Sequence, residues 1–428
     1  MDESLFQVFY STSGICTDTR SIEKDCLFVC INGVNFDGNS FALGAIEAGA
    51  KHVIVDNPDY LVENANMTLV PDSIVYLQQL ANYHRRKFEI PVIGITGSNG
   101  KTTTKELINS VLSAKYNVLA TIGNLNNHIG VPLTLLRLSE KHDIAIIEMG
   151  ANKFKDIEEL CLIAEPTHGI ITNIGKAHLE GFLNFEGVLA TKRELYTSIY
   201  DNNGIVFINM DDEVLTKALP NGISTFPYGT SNTTIVHGEL IELSPYVEMK
   251  LNNGKRVLQT QMIGKYNFYN YLAAAAFGVY FDISLEQIGD AIESYTPTNN
   301  RSQVKKTPRN TLILDCYNAN PSSMQSAIES FSMNNHPHKL LILGDMKELG
   351  AKSMDEHKKV ILQMEHLGLE GIVVGSEFGA IESRAIINSF NTVDDLINEL
   401  SNEEELNNYL ILLKGSRSMR LEVLESVL

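Results

Sequence analysis

Between Val92 and Thr104 the chain reads Val-Ile-Gly-Ile-Thr-Gly-Ser-Asn-Gly-Lys-Thr-Thr-Thr, an apolar run that passes through a glycine-rich turn into helix-forming sequence. Glycines at such a turn let consecutive backbone N–H groups curl around a phosphate, and the start of a helix adds positive potential. Gly97, Ser98, Asn99, Gly100, Lys101, Thr102 and Thr103 are therefore the residues expected to cradle nucleotide phosphates. Lys101 would reach the outer phosphates, and a threonine hydroxyl could bind Mg²⁺. The match to G-x-x-x-x-G-K-[ST] is imperfect: its first glycine would fall at Ile95, whereas the chain has Gly94 and Gly97. A tight turn that merely ends in Gly-Lys-Thr is the competing reading, and the strand before and helix after favour the phosphate loop.

Two further residues stand at comparable places. Glu148 ends the apolar run 143–149, and ligands of open α/β sheets bind at the carboxyl edge of the strands. Glu148 is thus suited to hold Mg²⁺ across from Lys101; the alternative is an acid that simply terminates a strand at the surface. The run 169–173 leads through Ile174-Gly175-Lys176-Ala177 to His178, at the same edge. A lone histidine is more often a hydrogen-bonded structural residue, and His178-Leu179-Glu180 lacks the P-C-x-x-C partner of a zinc deaminase. Its company argues for function, since Lys101, Glu148 and His178 follow different strands and should converge in one crevice. Lys192, in the helical stretch 190–195, reads on residue type alone as part of a solvated face.

The elements that must position these residues fall into three textures. Up to about residue 88, strand-like runs at 27–31 and 52–55 flank a helical 41–49, which reads as a small α/β unit. Pro91 opens a second region in which the apolar runs 92–96, 143–149, 169–173 and 204–209 alternate with helical periodicity. Such continuous apolar strands indicate a parallel sheet covered on both faces. After Pro297 a third alternation, at 311–315, 339–343, 371–375 and 408–413, reads as a smaller doubly wound unit. The expected fold is α/β with three domains, at 1–88, 89–298 and 299–428.

A chain of 428 residues with 44% hydrophobic and 20% charged side chains has ordinary globular usage, which excludes disordered, collagenous and coiled-coil classes. Its formal net charge of -18 argues against a broad nucleic-acid surface, so any anionic ligand must be held by a local site. Cys16, Cys26, Cys30, Cys161 and Cys316 show no paired C-x-x-C spacing and read as small buried hydrophobes. The acidic start Met1-Asp2-Glu3-Ser4 is unlike a signal peptide, and the apolar run 271–281 is too short to span a bilayer, so a cytoplasmic protein without membrane insertion is expected.

Beyond the loop at 96–104, a series of short motifs follows along the chain. They are Thr121-Ile122-Gly123-Asn124-Leu125-Asn126-Asn127-His128, the segment 172–182, Gly264-Lys265-Tyr266-Asn267-Phe268-Tyr269-Asn270, and Asp315-Cys316-Tyr317-Asn318-Ala319-Asn320-Pro321. Leu343-Gly344-Asp345-Met346-Lys347-Glu348-Leu349-Gly350 and Leu413-Lys414-Gly415-Ser416-Arg417 complete the set. In this order and spacing, from residue 18 to residue 417, the chain resembles the Mur ligase family, the ATP-dependent ligases that build the peptide of the cell-wall precursor. The likeness is strongest to the branch that joins D-alanyl-D-alanine to UDP-N-acetylmuramoyl-tripeptide through an acyl phosphate, the last cytoplasmic step of peptidoglycan precursor synthesis.

The resemblance implies a uridine-nucleotide domain at 1–88, a central ATPase at 89–298 and an amine-substrate domain at 299–428, working as a monomer with ATP and Mg²⁺. It implies that Thr102 and Glu148 serve one metal and His178 a second. Lys192 matches the lysine that this family carbamylates, becoming a metal ligand. Asn267 and Asn270 match a pair near the adenine, and Arg301 and Asp315 an arginine and aspartate that grip phosphate and ribose. Tyr317, Asn318, Asn320, Lys414, Ser416 and Arg417 would face the cleft from the third domain. Thr19, Arg20, Asn39 and Ser40 would meet the uridine side, with Asn124, Asn126 and Asn127 as further substrate donors. Tyr266 and Asn39 depart from the histidines common at their positions. The alternatives are the diamino-acid-adding member, a folylpolyglutamate synthase, or a nucleotide-binding switch without ligase chemistry. The Asp-Asn-Pro-Arg signature of the diamino-acid-adding enzyme is missing from the third region, since Asp56-Asn57-Pro58 is followed by Asp59 and lies in the first.

Overall fold

The computed structural model describes residues 3–33, 36–176, 179–182, 184–401 and 406–428. Three sheets follow the chain. The first carries β1 (Ile15–Cys16), β2 (Leu27–Val29), β3 (His52–Val55) and β4 (Met67–Leu69), paired in sequence order and all parallel. Its helix is shorter than the expected 41–49: Ala42–Glu47 follows a 3-10 turn at Gly38–Phe41. That turn forms because the Asp37 carboxylate accepts the Asn39 N–H at 2.9 Å, giving the backbone a local alternative to the helix.

The second sheet holds β5 (Val92–Thr96), β6 (Val118–Ala120), β7 (Ile144–Glu148), β8 (His168–Ile171), β9 (Ile205–Asn209), β10 (Ser224–Gly229), β11 (Val236–Glu242), β12 (Glu248–Leu251) and β13 (Leu258–Gln259). Their order is β13-β12-β11-β10-β9-β8-β5-β7-β6. Side chains alternate between two cores as a pleated strand requires: Ile93 and Ile95 enter one, Val92 the other. Helices Lys101–Leu112 and Lys265–Tyr280 cover the first core, and Asp156–Ala164 and Phe185–Asp201 the second. Most of the apolar run 271–281 belongs to the Lys265–Tyr280 helix, where Phe277 stacks on Phe207 at 3.6 Å between ring centroids. The sheet is not parallel throughout as expected, because β11–β12 and β12–β13 pair antiparallel. The connections between these strands are too short for a crossover, and Asn252 and Asn253, both at positive φ, turn the chain back on itself.

The third sheet holds β14 (Gln303–Lys306), β15 (Thr311–Leu314), β16 (Lys339–Gly344), β17 (Gly371–Val374), β18 (Ile386–Phe390) and β19 (Leu410–Lys414), in the order β14-β15-β19-β16-β17-β18. Only β14, hairpinned onto β15, runs antiparallel. All five cysteines are buried. Among the described residues no helix is long and apolar enough to cross a membrane.

Candidate functional site

The register of the central strands builds the site. β5 lies between β7 and β8, pairing Ile95 with Glu148 and Thr96 with Ile171, so three chain segments leave the sheet side by side at one edge. The loop after β5 turns on two glycines, Gly97 at φ 146° and Gly100 at φ 77°. A Cβ on Gly97 would lie 2.0 Å from Thr172 Oγ1, and one on Gly100 would lie 2.9 Å from Asn270 Oδ1. Only glycine lets the loop lie this close to its neighbours. Gly100 is the N-cap of the Lys101–Leu112 helix, so the helix start faces the loop. Lys101 Nζ donates to Gly97 O at 2.7 Å and Ser98 O at 3.3 Å. Desolvation brings its pKa down to about 8, with Glu148 opposing and Arg301 adding to the fall.

Glu148 is 1% exposed. Its Oε1 accepts from Thr102 Oγ1 at 3.1 Å and Asn126 Nδ2 at 2.8 Å, while the buried Oε2 has no hydrogen-bond partner. An ionised oxygen buried without a donor is costly unless a cation meets it. The residues therefore fit a divalent ion. Among the described residues no three His, Cys, Asp or Glu side chains form a ready-made cage. One carboxylate beside a threonine hydroxyl is the sparse donor set that Mg²⁺ uses, with water and phosphate oxygens completing its shell. His178 lies outside the described residues. Lys192, expected on residue type to be solvated, is 2% exposed on the Phe185–Asp201 helix, with its ammonium 5.6 Å from the Phe182 ring centroid. Burial, and then the neighbouring Lys101, hold its pKa well below the ordinary lysine range, against the opposing pull of Asp156 and Glu194.

The third sheet contributes the facing wall. Lys414 Nζ bonds Asp315 Oδ2 at 2.6 Å, and Asp315 Oδ1 accepts the Ser302 N–H at 3.1 Å. The Arg301 guanidinium lies 3.8 Å over the Tyr317 ring, with its buried Nε unpartnered. Asn320 caps the Pro321–Ser332 helix through Ser323 N–H and reaches across to donate to Asn99 Oδ1 at 2.8 Å. Segment 172–176 is bound on both sides. Asn173 and Gly175 bond Ser98 and Asn99 of the phosphate loop, while Lys176 meets Ser322 Oγ at 2.8 Å and Glu356 at 3.2 Å. One cavity of about 1060 Å³ spans both walls. Ser98 to Thr103, Asn126, Asn127, Glu148, Asn267, Asn270, Arg301, Asp315, Tyr317, Asn318, Asn320 and Lys414 all line it.

Other expected residues lie apart from this cavity. Arg20 is exposed and paired with Asp18 at 2.6 Å, next to exposed Thr19; Ser40 bonds Asp37 O at 2.6 Å. Asn39, expected to contact substrate, is 1% exposed. Its amide donates to Asn32, Asp37 and Asp56 and accepts the Asp56 N–H, so every polar atom is engaged within the first region. Ser416 Oγ accepts the Lys347 N–H, Arg417 pairs with Glu422, and Gly97, Asn124 and Lys192 do not line the cavity. Sequence reasoning missed Tyr269, Asn209, Asp211 and Asp212, which do. The end of β9 at the same sheet edge was the available signal for the last three.

Three family models match the chain: "Mur ligase family, catalytic domain" over residues 11–86, "Mur ligase middle domain" over 95–278 and "Mur ligase, glutamate ligase domain" over 300–417. The UDP-N-acetylmuramoyl-tripeptide–D-alanyl-D-alanine ligase of Bacillus subtilis is 34% identical over 96% of this chain and 91% of its own length. The Escherichia coli protein of the same name is 32% identical over 95% and 92%. Among solved structures, MurF from Acinetobacter baumannii superposes with a TM-score of 0.88 at 29% identity, covering 98% of this chain and 97% of that one. MurF from Thermotoga maritima in complex with ADP gives 0.85 at 26%, covering 97% of each.

Proposed function

The chain belongs to the Mur ligase family, and we propose that it joins D-alanyl-D-alanine to UDP-N-acetylmuramoyl-tripeptide at the expense of ATP. It would do so as a cytoplasmic monomer, completing the peptide of the peptidoglycan precursor. The observation that carries this reading is the single cavity whose walls are the phosphate loop with Glu148 on one side and Asp315, Tyr317, Asn320 and Lys414 on the other. A carboxylate and an amine condense only if the carboxylate is first activated, and both reagents must reach one point.

In this reading residues 1–88 take the uridine end, 89–298 ATP, and 299–428 the amine. The tripeptide's terminal carboxylate attacks the γ-phosphorus and ADP leaves. The amine then attacks the acyl carbon, phosphate departs and the amine proton is lost. Lys101 and the backbone N–H groups of 100–103 hold the phosphates in line, while the Ser98 and Asn99 N–H groups bond Asn173 and fix the loop. Mg²⁺ held by Thr102 and Glu148, with His178 and carbamylated Lys192 at a second ion, would neutralise charge on the transferring group. A carbamate needs an uncharged amine to attack CO₂, and the burial of Lys192 favours that form. Asn267, Asn270, Arg301 and Asp315 are assigned to the nucleoside and phosphates. Asn124, Asn126, Asn127, Asn318, Ser416 and Arg417 are assigned to the other substrates. Thr19, Arg20 and Ser40 are assigned to the uridine side, where Asn39 shapes the turn.

The test is phosphate release by the full chain with ATP, offering D-alanyl-D-alanine or a diamino acid against the UDP-tripeptide and the UDP-dipeptide. Release that needs tripeptide and D-alanyl-D-alanine together is expected. Release with the dipeptide and a diamino acid instead, or ATP binding without coupled turnover, would overturn the reading.

A further inference from the structure

The nucleotide helix carries a second lysine that the chemistry above does not use. Lys105 is one turn beyond Lys101, and its side chain is 1% exposed. An ammonium is expensive to desolvate, so a buried one must be matched by close acceptors. Lys105 Nζ has two, Thr121 O at 2.6 Å and Glu106 Oε1 at 2.8 Å. Thr121 follows β6 directly, at the same sheet edge as Glu148. Its Oγ1 accepts the Glu148 N–H at 3.0 Å, and Glu148 Oε1 returns to the helix by accepting from Thr102 Oγ1 at 3.1 Å.

These contacts close a ring from Lys105 through Thr121 and Glu148 to Thr102, and back along one turn of helix. The second arm of the same loop, Asn126, also lands on Glu148 Oε1 at 2.8 Å. With Oε1 doubly held, the unpartnered Oε2 is fixed relative to the Thr102 hydroxyl. We propose that Lys105 is a positioning residue for the divalent cation, its buried charge tying the Thr121 loop to the nucleotide helix and so setting the spacing between Glu148 and Thr102. The inference rests on reading this site as the Mg²⁺–nucleotide site.

The experiment is calorimetric titration of ADP into the full chain, with Mg²⁺ varied and with EDTA, for the parent, Lys105→Met and Thr121→Val, alongside melting curves. Mg²⁺-independent ADP binding by the parent would sink the reading of the site itself and leave nothing for Lys105 to position. Given a Mg²⁺-dependent parent, Lys105→Met should need up to about tenfold more Mg²⁺ for half-maximal ADP binding, the low end of the cost of losing an outer contact to a metal ligand, because Lys105 acts on Glu148 through Thr121. ADP affinity in EDTA should stay unchanged. Thr121→Val keeps the lysine and the shape but removes the acceptor of the Glu148 N–H, and should show the same shift. A lower melting temperature with an unaltered Mg²⁺ requirement in Lys105→Met would overturn the proposal. Should that variant not fold, an unaltered requirement in Thr121→Val would overturn it equally.

Discussion

Asn320 performs two tasks that a pair of substitutions separates. Its Oδ1 caps the Pro321–Ser332 helix by accepting the Ser323 N–H at 2.9 Å, and its Nδ2 donates to Asn99 in the phosphate loop at 2.8 Å. Alanine removes both. Serine is about as good an N-cap as asparagine, but its hydroxyl ends one bond sooner and is occupied by the cap. Losing the cap should cost about 1 kcal/mol of stability. Losing the bridge, a half-buried neutral bond, should cost about 1 kcal/mol of the interaction that brings the two walls together, roughly fivefold in kcat/KM for the amine. Asn320→Ala should therefore lose both stability and kcat/KM, and Asn320→Ser only the second. The assays are thermal melting and phosphate release at saturating ATP and UDP-tripeptide. Equal melting losses in the two variants would refute the capping argument. A parent-like kcat/KM in Asn320→Ser would refute the bridge.

Two further outcomes follow from half-buried Lys101 and buried Lys192. With Lys101 lowered to about 8, the ammonium falls from about nine-tenths populated at pH 7 to about one-tenth at pH 9. If phosphate binding requires the charged form, ADP should bind about tenfold more weakly at pH 9. Lys101→Met should bind weakly at both values, and a parent whose ADP affinity is flat across this range would contradict the role. Lys192→Ala should lose most turnover while remaining folded, with partial recovery on adding a short carboxylic acid that can occupy the place of a carbamate; a folded variant that no acid rescues, or that never lost activity, would count against the carbamate.

The central strands were legible because they are continuous apolar runs whose ends coincide with glycine or a carboxylate. Residues 92–96 are β5 as expected, and Glu148 closes β7. The antiparallel extension β11–β13 was not read, because β11 breaks its alternation at Glu239-Leu240-Ile241-Glu242, β12 alternates over only the four residues Glu248-Met249-Lys250-Leu251, and β13 has two residues. Lys192 and Lys105 show a deeper reason for incomplete reading. Both stand in helices as ordinary basic residues, and only the packing of distant segments, Phe182 over one and Thr121 against the other, takes them out of water. Asn39 is the converse. Its motif suggests a uridine-side contact, but Asn32 and Asp37 from its own stretch and Asp56 after β3 converge on it and consume it.

Segment 172–176 threads a seam, zipped to the phosphate loop along one margin and to Ser322 and Glu356 along the other. A wall that swung open could not leave that ribbon undisturbed: it would either break the Ser322 and Glu356 contacts or drag the ribbon off Ser98 and Asn99. A small molecule wedged into this seam would thus act on both walls of the cavity at once, without resembling the occupant of either.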